Sequence, residues 1–226
     1  MKEKFCLLIL LSLNFITEAH TPASSSEEED FINCADSNDN LANKIAEYIK
    51  NGINVNADRN GNTALRFACN NGTIKIVNEL LKSNQIDVNK PDRDGRTPLM
   101  FAADNNKIDA TKQLLSMPEL KINALDKYGW SALALAVDNG FSEIVDLLLC
   151  RSDININLST NYRWTPLMFA IDNNRVEIVF KLLARSDIDL SKKNCLGSDA
   201  CSMAKEKNES IYNCILEKMR KNYESQ

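Results

Sequence analysis

Two tryptophans and two tyrosines recur at one fixed spacing in this chain. Trp130 and Trp164 occupy the same position in successive copies of an internal repeat, and each follows a tyrosine by two residues. Together with the basic residues of the matching turns, the candidate binding residues are Arg59, Arg93, Arg96, Lys127, Tyr128, Trp130, Tyr162 and Trp164. Tryptophan, tyrosine and arginine contribute much of the binding energy at protein interfaces. These residues therefore predict a partner-binding strip with an aromatic centre and a basic flank.

An acidic row shares the same spacing. Asp104, Asp138 and Asp172 stand at equivalent positions of three successive repeats, and each precedes an asparagine. Two interpretations are open for the row: a solvated face, or a surface that favours a partner carrying lysine or arginine. Two are open for the aromatic residues as well, since they could bind a partner or pack on neighbouring turns.

Residues suited to catalysis or to holding a metal are scarce. The only histidine is His20, so a serine or cysteine nucleophile has no histidine base in the folded part. The glycines are isolated rather than grouped in a phosphate-binding loop, and no cysteine or histidine spacing fits zinc. The stretch 36–40 lacks the glycine and the distal glutamate of a calcium loop. The sequence predicts a protein that is not an enzyme and needs no cofactor or metal.

The elements that position the strip come from the internal repeat. The segment 63–68 (TALRFA) returns as 97–102 (TPLMFA), 131–136 (SALALA) and 165–170 (TPLMFA). Paired leucines keep the same step, and we expect Leu115 and Leu149 to be buried on both sides. A period of this length is typical of stacked supersecondary units, each burying its apolar face against its neighbours.

The repeat divides the chain into segments with predicted boundaries. Each full unit has a turn opened by Asp or Thr, a first helix, a second helix and an extended connection. The predicted segments are a signal peptide (1–19), a polar linker (20–28), an N-terminal capping repeat (29–57), four full repeats (58–91, 92–125, 126–159 and 160–193) and a C-terminal capping repeat (194–224).

These motifs resemble the ankyrin-repeat family. The match rests on the Asp-x-x-Gly-x-Thr-Pro-Leu opening, the Ala-Ala or Ala-Cys pair, the Ile-Val-x-x-Leu-Leu helix and the closing Val-Asn. The resemblance implies an all-α solenoid of stacked helix-turn-helix units joined by β-hairpin-like loops. Two features depart from it. The histidine expected after Thr-Pro-Leu is replaced, which predicts that the hydrogen bonds of that histidine between loops are missing, and Arg163 replaces a turn glycine. The residues at the histidine position are Arg66, Met100, Ala134 and Met168.

The N-terminus has the layout of a secretory signal peptide. A short charged start precedes an apolar stretch at 5–16, and small residues stand at the −3 and −1 positions of a cut after Ala19. The expected location is therefore secreted or periplasmic. The alternative is a buried or amphipathic first helix.

Six cysteines would remain after that cleavage. Cys34, Cys69 and Cys201 fall on inner-helix positions where a small apolar residue belongs. Equivalent positions in adjacent repeats lie about 10 Å apart, too far for a disulfide. Only Cys201 with Cys214 or Cys195 remains a plausible pair, and we expect at least four free thiols.

The resemblance and the composition together set the functional expectation. A net charge of −4 argues against nucleic acid as partner, and no apolar run is long enough to insert the mature chain in a membrane. We expect an exported, monomeric protein-protein interaction module that binds another protein through its concave face and hairpin tips. The alternative is an assembly or protective factor for an exported enzyme.

Overall fold

Paired helices stack in sequence order along the chain. A computed structural model describes residues 25–224, and twelve α-helices lie within that range. The inner helices are α1 (Ser25–Ser37), α3 (Ala64–Asn71), α5 (Pro98–Asp104), α7 (Ala132–Asn139), α9 (Pro166–Asp172) and α11 (Ala200–Lys207). The outer helices are α2 (Ala42–Lys50), α4 (Ile74–Leu81), α6 (Ile108–Leu115), α8 (Ser142–Leu149), α10 (Val176–Ala184) and α12 (Glu209–Glu224). Each helix packs on the helix of its own kind in the next repeat, which confirms the all-α solenoid.

The N-terminal repeat begins earlier than the sequence predicted. Helix α1 starts at Ser25, so residues 25–28 of the predicted linker are helical. Glu27 and Glu28 lie in its first turn, where negative charge is favourable beside the unpaired N–H groups of a helix start. A short 3₁₀ turn, Asp39–Leu41, leads into α2. The predicted signal peptide and linker residues 20–24 lie outside the described residues.

The inner helices begin at capping side chains. The Thr63 hydroxyl accepts a hydrogen bond from the Arg66 N–H at 3.1 Å, and Ser131 does the same for the Ala134 N–H at 3.1 Å. Such bonds satisfy N–H groups that the helix itself leaves unpaired. Pro98 and Pro166 occupy the first turn of α5 and α9, where a proline loses no helical hydrogen bond.

The leucine pairs of the outer helices are unequally buried. Leu114 and Leu148 are fully buried, whereas Leu115 and Leu149 are only partly buried. The prediction that Leu115 and Leu149 are buried on both sides is therefore wrong. Residues three or four apart share a helix face, so Ile144 and Leu148 face the core together while Leu149 lies at its margin.

The turns between repeats form a row of hairpin tips. In the first repeat, β1 (Asp58–Arg59) pairs antiparallel with β2 (Asn62–Thr63). Consecutive tips are joined by backbone hydrogen bonds, from the Lys127 N–H to the Asp94 carbonyl at 2.8 Å and from the Asn161 N–H to the Tyr128 carbonyl at 2.9 Å. Neighbouring loops are therefore joined through the backbone, whereas the prediction concerned only the bonds of the replaced histidine.

The glycine position of the tips is crowded by the next repeat. A Cβ added at Gly129 would lie 2.8 Å from the Asn161 nitrogen. Arg163 stands at this position in the fourth repeat with a φ of 63°, in the left-handed region that costs a non-glycine residue about 1–3 kcal/mol. The turn thus keeps its backbone conformation in spite of the substitution.

An asparagine ladder joins the outer loops of successive repeats. The Asn123 amide donates to the Asp153 carbonyl at 2.6 Å and accepts from the Asn155 N–H at 2.8 Å. The same pair of bonds recurs at Asn56, Asn89 and Asn157. Each of these asparagines therefore hydrogen-bonds its repeat to the following one. The high asparagine content of the sequence did not reveal this role.

The six cysteines within residues 25–224 are free thiols. Cys34 and Cys69 are buried as predicted, and burial raises the pKa of the Cys69 thiol. Cys201 is only partly buried, because it lies on the last inner helix, which no further repeat covers. Neither Cys214 nor Cys195 is bonded to it.

Candidate functional site

Both tryptophans contact one phenylalanine of helix α9. The Trp130 ring stacks on Phe169 with centroids 4.6 Å apart and planes 25° apart, and the Trp164 ring lies 5.3 Å from the same phenylalanine. We refer to Trp130, Trp164 and Phe169 as the aromatic cluster. Trp130 belongs to the third repeat and Phe169 to the fourth. Trp130 therefore packs across a repeat boundary, as the packing interpretation of the aromatic residues allows.

An open groove of about 310 Å³ lies against the aromatic cluster. Four aromatic side chains and two carboxylates line it. The lining residues are Trp130, Asp138, Thr160, Tyr162, Trp164, Phe169, Asp172 and Asn173. An open surface that combines rings with charged groups suits a side chain that is partly apolar and partly charged.

Large apolar side chains project from three successive tips. Tyr128 is 53% exposed, Tyr162 is 70% exposed and Leu196 is 79% exposed. Sequence reasoning identified the tyrosines but missed Leu196. The signal was present, because Leu196 follows Tyr162 by the same step that separates Tyr162 from Tyr128. The aromatic cluster and these three tips form the aromatic half of the strip.

The basic half of the strip surrounds a second phenylalanine. The guanidinium of Arg66 lies 4.1 Å from the centre of the Phe101 ring and that of Arg96 lies 4.4 Å from it. Arg96 also pairs with Asp104 at 2.6 Å. We call Arg66 and Arg96 the arginine pair; the Phe101 ring lies between their guanidinium groups. Sequence reasoning included Arg96 and noted Arg66 only as a missing histidine.

Arg66 is the less satisfied member of the arginine pair. Its Nε atom is buried and has no hydrogen-bond partner in the described part of the chain, and the same holds for the Nε of Arg96. Burial lowers the pKa of Arg66, and the nearby charge of Arg96 lowers it further, whereas Asp92 and Asp36 act in the opposite direction. The position thus holds a cation that is only partly compensated.

The other predicted basic residues already have partners within the chain. Arg59 pairs with Glu29 at 3.1 Å, and Arg93 donates to the Asn60 side chain at 2.6 Å. A hydrogen bond from Lys127 to Asp94 raises the pKa of Lys127. Arg93 and Lys127 hold neighbouring tips together, and Arg59 joins the first tip to helix α1. A partner that used these side chains would have to compete with those contacts.

The acidic row makes bonds between repeats. The Asp104 carboxylate accepts from the Asn139 amide at 2.8 Å, and Asp138 accepts from Asn173 at 2.8 Å. Asp172 instead pairs with a lysine of the last repeat, Lys207, at 2.7 Å. Asp138 and Asp172 both line the groove, so this part of the row lies at the candidate site.

A larger groove of about 600 Å³ lies on the outer helices. It is formed by α2, α4, α6 and the turn after α6, and no aromatic ring lines it. Its charged residues are Lys75, Glu79 and Lys82. The strip is therefore the better candidate, since it combines aromatic anchors with charge.

The described residues contain neither a metal-binding group of side chains nor a membrane-spanning helix. Within residues 25–224, no group of three or more histidine, cysteine or acidic side chains is arranged to hold a metal ion. In the same range, no helix combines the length and apolar character that crossing a bilayer requires.

Comparison with known proteins identifies the fold. A family described as "Ankyrin repeats (3 copies)" matches residues 31–126 and 110–194. The chain belongs to the ankyrin-repeat family. The crystal structure of the ankyrin repeat domain of Bcl-3, described as a unique member of the IkappaB protein family, is similar with a TM-score of 0.70 and 27% identity. The similarity covers 78% of this chain and 77% of that one. No curated protein matches the sequence.

Ankyrin-repeat domains typically act as protein-protein interaction modules and are usually non-catalytic. Their repeat stack supplies a rigid scaffold on which side chains that do not hold the stack together can vary. In this ankyrin-repeat protein, residue types differ between repeats at the tips, as at Arg96, Trp130 and Trp164.

Proposed function

We propose that this ankyrin-repeat protein is a non-enzymatic, monomeric interaction module that binds another protein through the concave face and hairpin tips. The observation that carries the proposal is the open groove at the aromatic cluster, flanked by the exposed Tyr162. Tryptophan and tyrosine side chains around an open groove have the properties of a binding hot spot.

The exposure of the tips supports the same conclusion. Tyr128, Tyr162 and Leu196 lie side by side on consecutive repeats and are more than half exposed. Exposed apolar side chains that form a continuous row, rather than occurring singly, are typical of an interaction site.

The test is affinity capture with matched variants. Residues 20–226 would be immobilised as wild type, Trp130→Ala, Trp164→Ala and Lys82→Ala, and retained host proteins would be quantified by mass spectrometry. We expect one protein to be retained by the wild type and by Lys82→Ala but not by the two tryptophan variants. Lys82→Ala is the control because it changes an exposed residue directly after the outer helix α4. Equal retention by all four baits would place the binding site outside the aromatic cluster.

We also propose that the protein is exported. The apolar stretch at 5–16 and the small residues before the cut after Ala19 support this proposal. Intact-mass measurement of the protein from its native host should give a chain that begins at or near His20. A chain that retains Met1–Ala19 would contradict export and leave the binding proposal unaffected.

A further inference from the structure

The acidic row is compensated unequally from repeat to repeat. Asp104 pairs with Arg96 at 2.6 Å, and Asp172 pairs with Lys207 at 2.7 Å. Asp138 has no cationic partner among the described residues, and its carboxylate accepts only the neutral Asn173 amide. The carboxylate between the two compensated ones is therefore the one that still lacks a counter-ion.

One substitution explains the difference between Asp104 and Asp138. Arg96 supplies the cation to Asp104 from eight residues earlier in its repeat, and the position eight residues before Asp138 is Trp130. The third repeat therefore has an indole where the second has a guanidinium. The exchange removes the internal cation and places an aromatic face beside the carboxylate that has lost it.

The chain already shows how a cation is held in such surroundings. The Arg96 guanidinium lies 4.4 Å from the centre of the Phe101 ring while it pairs with Asp104. A cation over an aromatic face is attracted by the negative charge of the ring, most strongly over tryptophan. The groove offers the same two partners, an aromatic face and a carboxylate, with open space in place of the arginine.

We propose that the groove beside Trp130 and Trp164 receives a lysine or arginine side chain of the partner protein, with Asp138 as its counter-ion. This inference rests on the proposed function and specifies the chemistry of the partner. The aliphatic part of the side chain packs on the aromatic cluster, and its charged end meets Asp138. Lys207 neutralises Asp172, so the groove retains the charge of one carboxylate.

Other side chains fit the groove less well. An acidic side chain would meet Asp138 without a compensating cation among the residues that line the groove. An apolar side chain would cover the Asp138 carboxylate without a counter-ion, which costs free energy because a buried charge loses its hydration. A basic side chain satisfies both the rings and the charge.

The two tryptophans provide a direct measurement. They are the only tryptophans in the chain, so a ¹H–¹⁵N spectrum of residues 20–226 contains two indole N–H signals. The probes are three blocked tripeptides, acetyl-Gly-X-Gly-amide, in which X is lysine, norleucine or glutamate. We expect the lysine peptide to shift both indole signals, with at least a fivefold lower Kd than the norleucine peptide. The glutamate peptide should bind more weakly than either.

Two variants separate the charge from the fold. Asp138→Asn keeps the Oδ1 atom that accepts from Asn173 and removes only the charge, so it should abolish the preference for lysine over norleucine. The matched control is Asp109→Asn, the same change at an exposed position on α6, which should keep the preference. Trp130→Arg should restore an internal partner for Asp138 and prevent binding of the lysine peptide.

The outcomes distinguish this inference from the proposed function. Equal affinity for the lysine and norleucine peptides would overturn the cationic assignment, while loss of partner capture in Trp130→Ala would still support the strip. A lysine preference that survives in Asp138→Asn would overturn the role of that carboxylate. No shift of either indole signal by any probe at tens of millimolar would overturn the inference completely.

Discussion

Phe101 and Phe169 occupy the same position in the second and fourth repeats, and their neighbours differ completely in chemistry. Phe101 lies between two guanidinium groups, those of Arg66 and Arg96. Phe169 instead contacts two indole rings, Trp130 and Trp164. Both phenylalanines therefore receive one neighbour from their own repeat and one from a preceding repeat.

The two halves also differ in what remains available to a partner. Phe101 is only 4% exposed, and Arg96 is already paired with Asp104. Phe169 is partly exposed and lines an open groove with Tyr162. The charged groups of the basic half are therefore mostly paired within the chain, whereas the aromatic rings of the other half are partly exposed to solvent. The two halves differ at these positions although the same repeat scaffold supports both.

The largest expected effect is a difference in stability between the two phenylalanines. Phe101→Ala should lower the free energy of unfolding by about 3–5 kcal/mol, as for a buried phenylalanine. Phe169→Ala should cost about 2 kcal/mol, because part of its ring already contacts water. Urea unfolding measures both. A larger loss at Phe169 would mean that the aromatic cluster, rather than the arginine pair, is the structural half.

A smaller change is expected when the tryptophans are truncated, and it should appear in binding more than in stability. Trp130→Ala and Trp164→Ala should each weaken binding of the captured partner by about 2 kcal/mol or more, roughly 30-fold. Loss of ring contacts with Phe169 should lower the free energy of unfolding by about 1 kcal/mol. Titration calorimetry and urea unfolding measure the two quantities, with Lys82→Ala as control. Large melting shifts with unchanged binding would assign the tryptophans to packing alone.

The asparagine ladder should respond equally in both halves. Asn89→Ala and Asn157→Ala each remove one donated and one accepted hydrogen bond to the next repeat. We expect a loss of about 1–2 kcal/mol at each site, with the two values within about 0.5 kcal/mol. Thermal and urea unfolding provide the measurement. Clearly unequal losses would show that the halves differ in their scaffold as well as in their strip.

The smallest expected effect is a gain in stability at Arg66. Methionine occupies the equivalent position in the second and fourth repeats, where Met100 and Met168 are buried. Arg66→Met should raise the free energy of unfolding by about 0.5–1 kcal/mol, because it removes a partly buried charge whose Nε has no hydrogen-bond partner among the described residues. A drop in the melting temperature would show that the contacts of Arg66 with Phe67 and Phe101 outweigh that cost.

The sequence predicted the helices and tips well but ranked residues within a helix poorly. The repeat located the paired helices and the tip positions of Tyr128 and Tyr162, because each residue type recurs at the same step. It did not distinguish Leu114 from Leu115, because the rotation of the helix about its axis decides which of two adjacent leucines faces the core. Leu196 was missed because a leucine stands there in place of the tyrosine of the two preceding tips, and Arg66 was interpreted only as a replaced histidine.

The period of the repeat by itself determined the fold, the order of the repeats and the row of tips. It could do so because similar units can bury their apolar faces only by stacking in sequence order. Only the tertiary structure decided which unlike residues meet across a repeat boundary, as Trp130 meets Phe169 and Asn173 meets Asp138. Such contacts depend on the displacement and rotation between neighbouring units. Side-chain packing sets that geometry, and no single position of a periodic sequence encodes it.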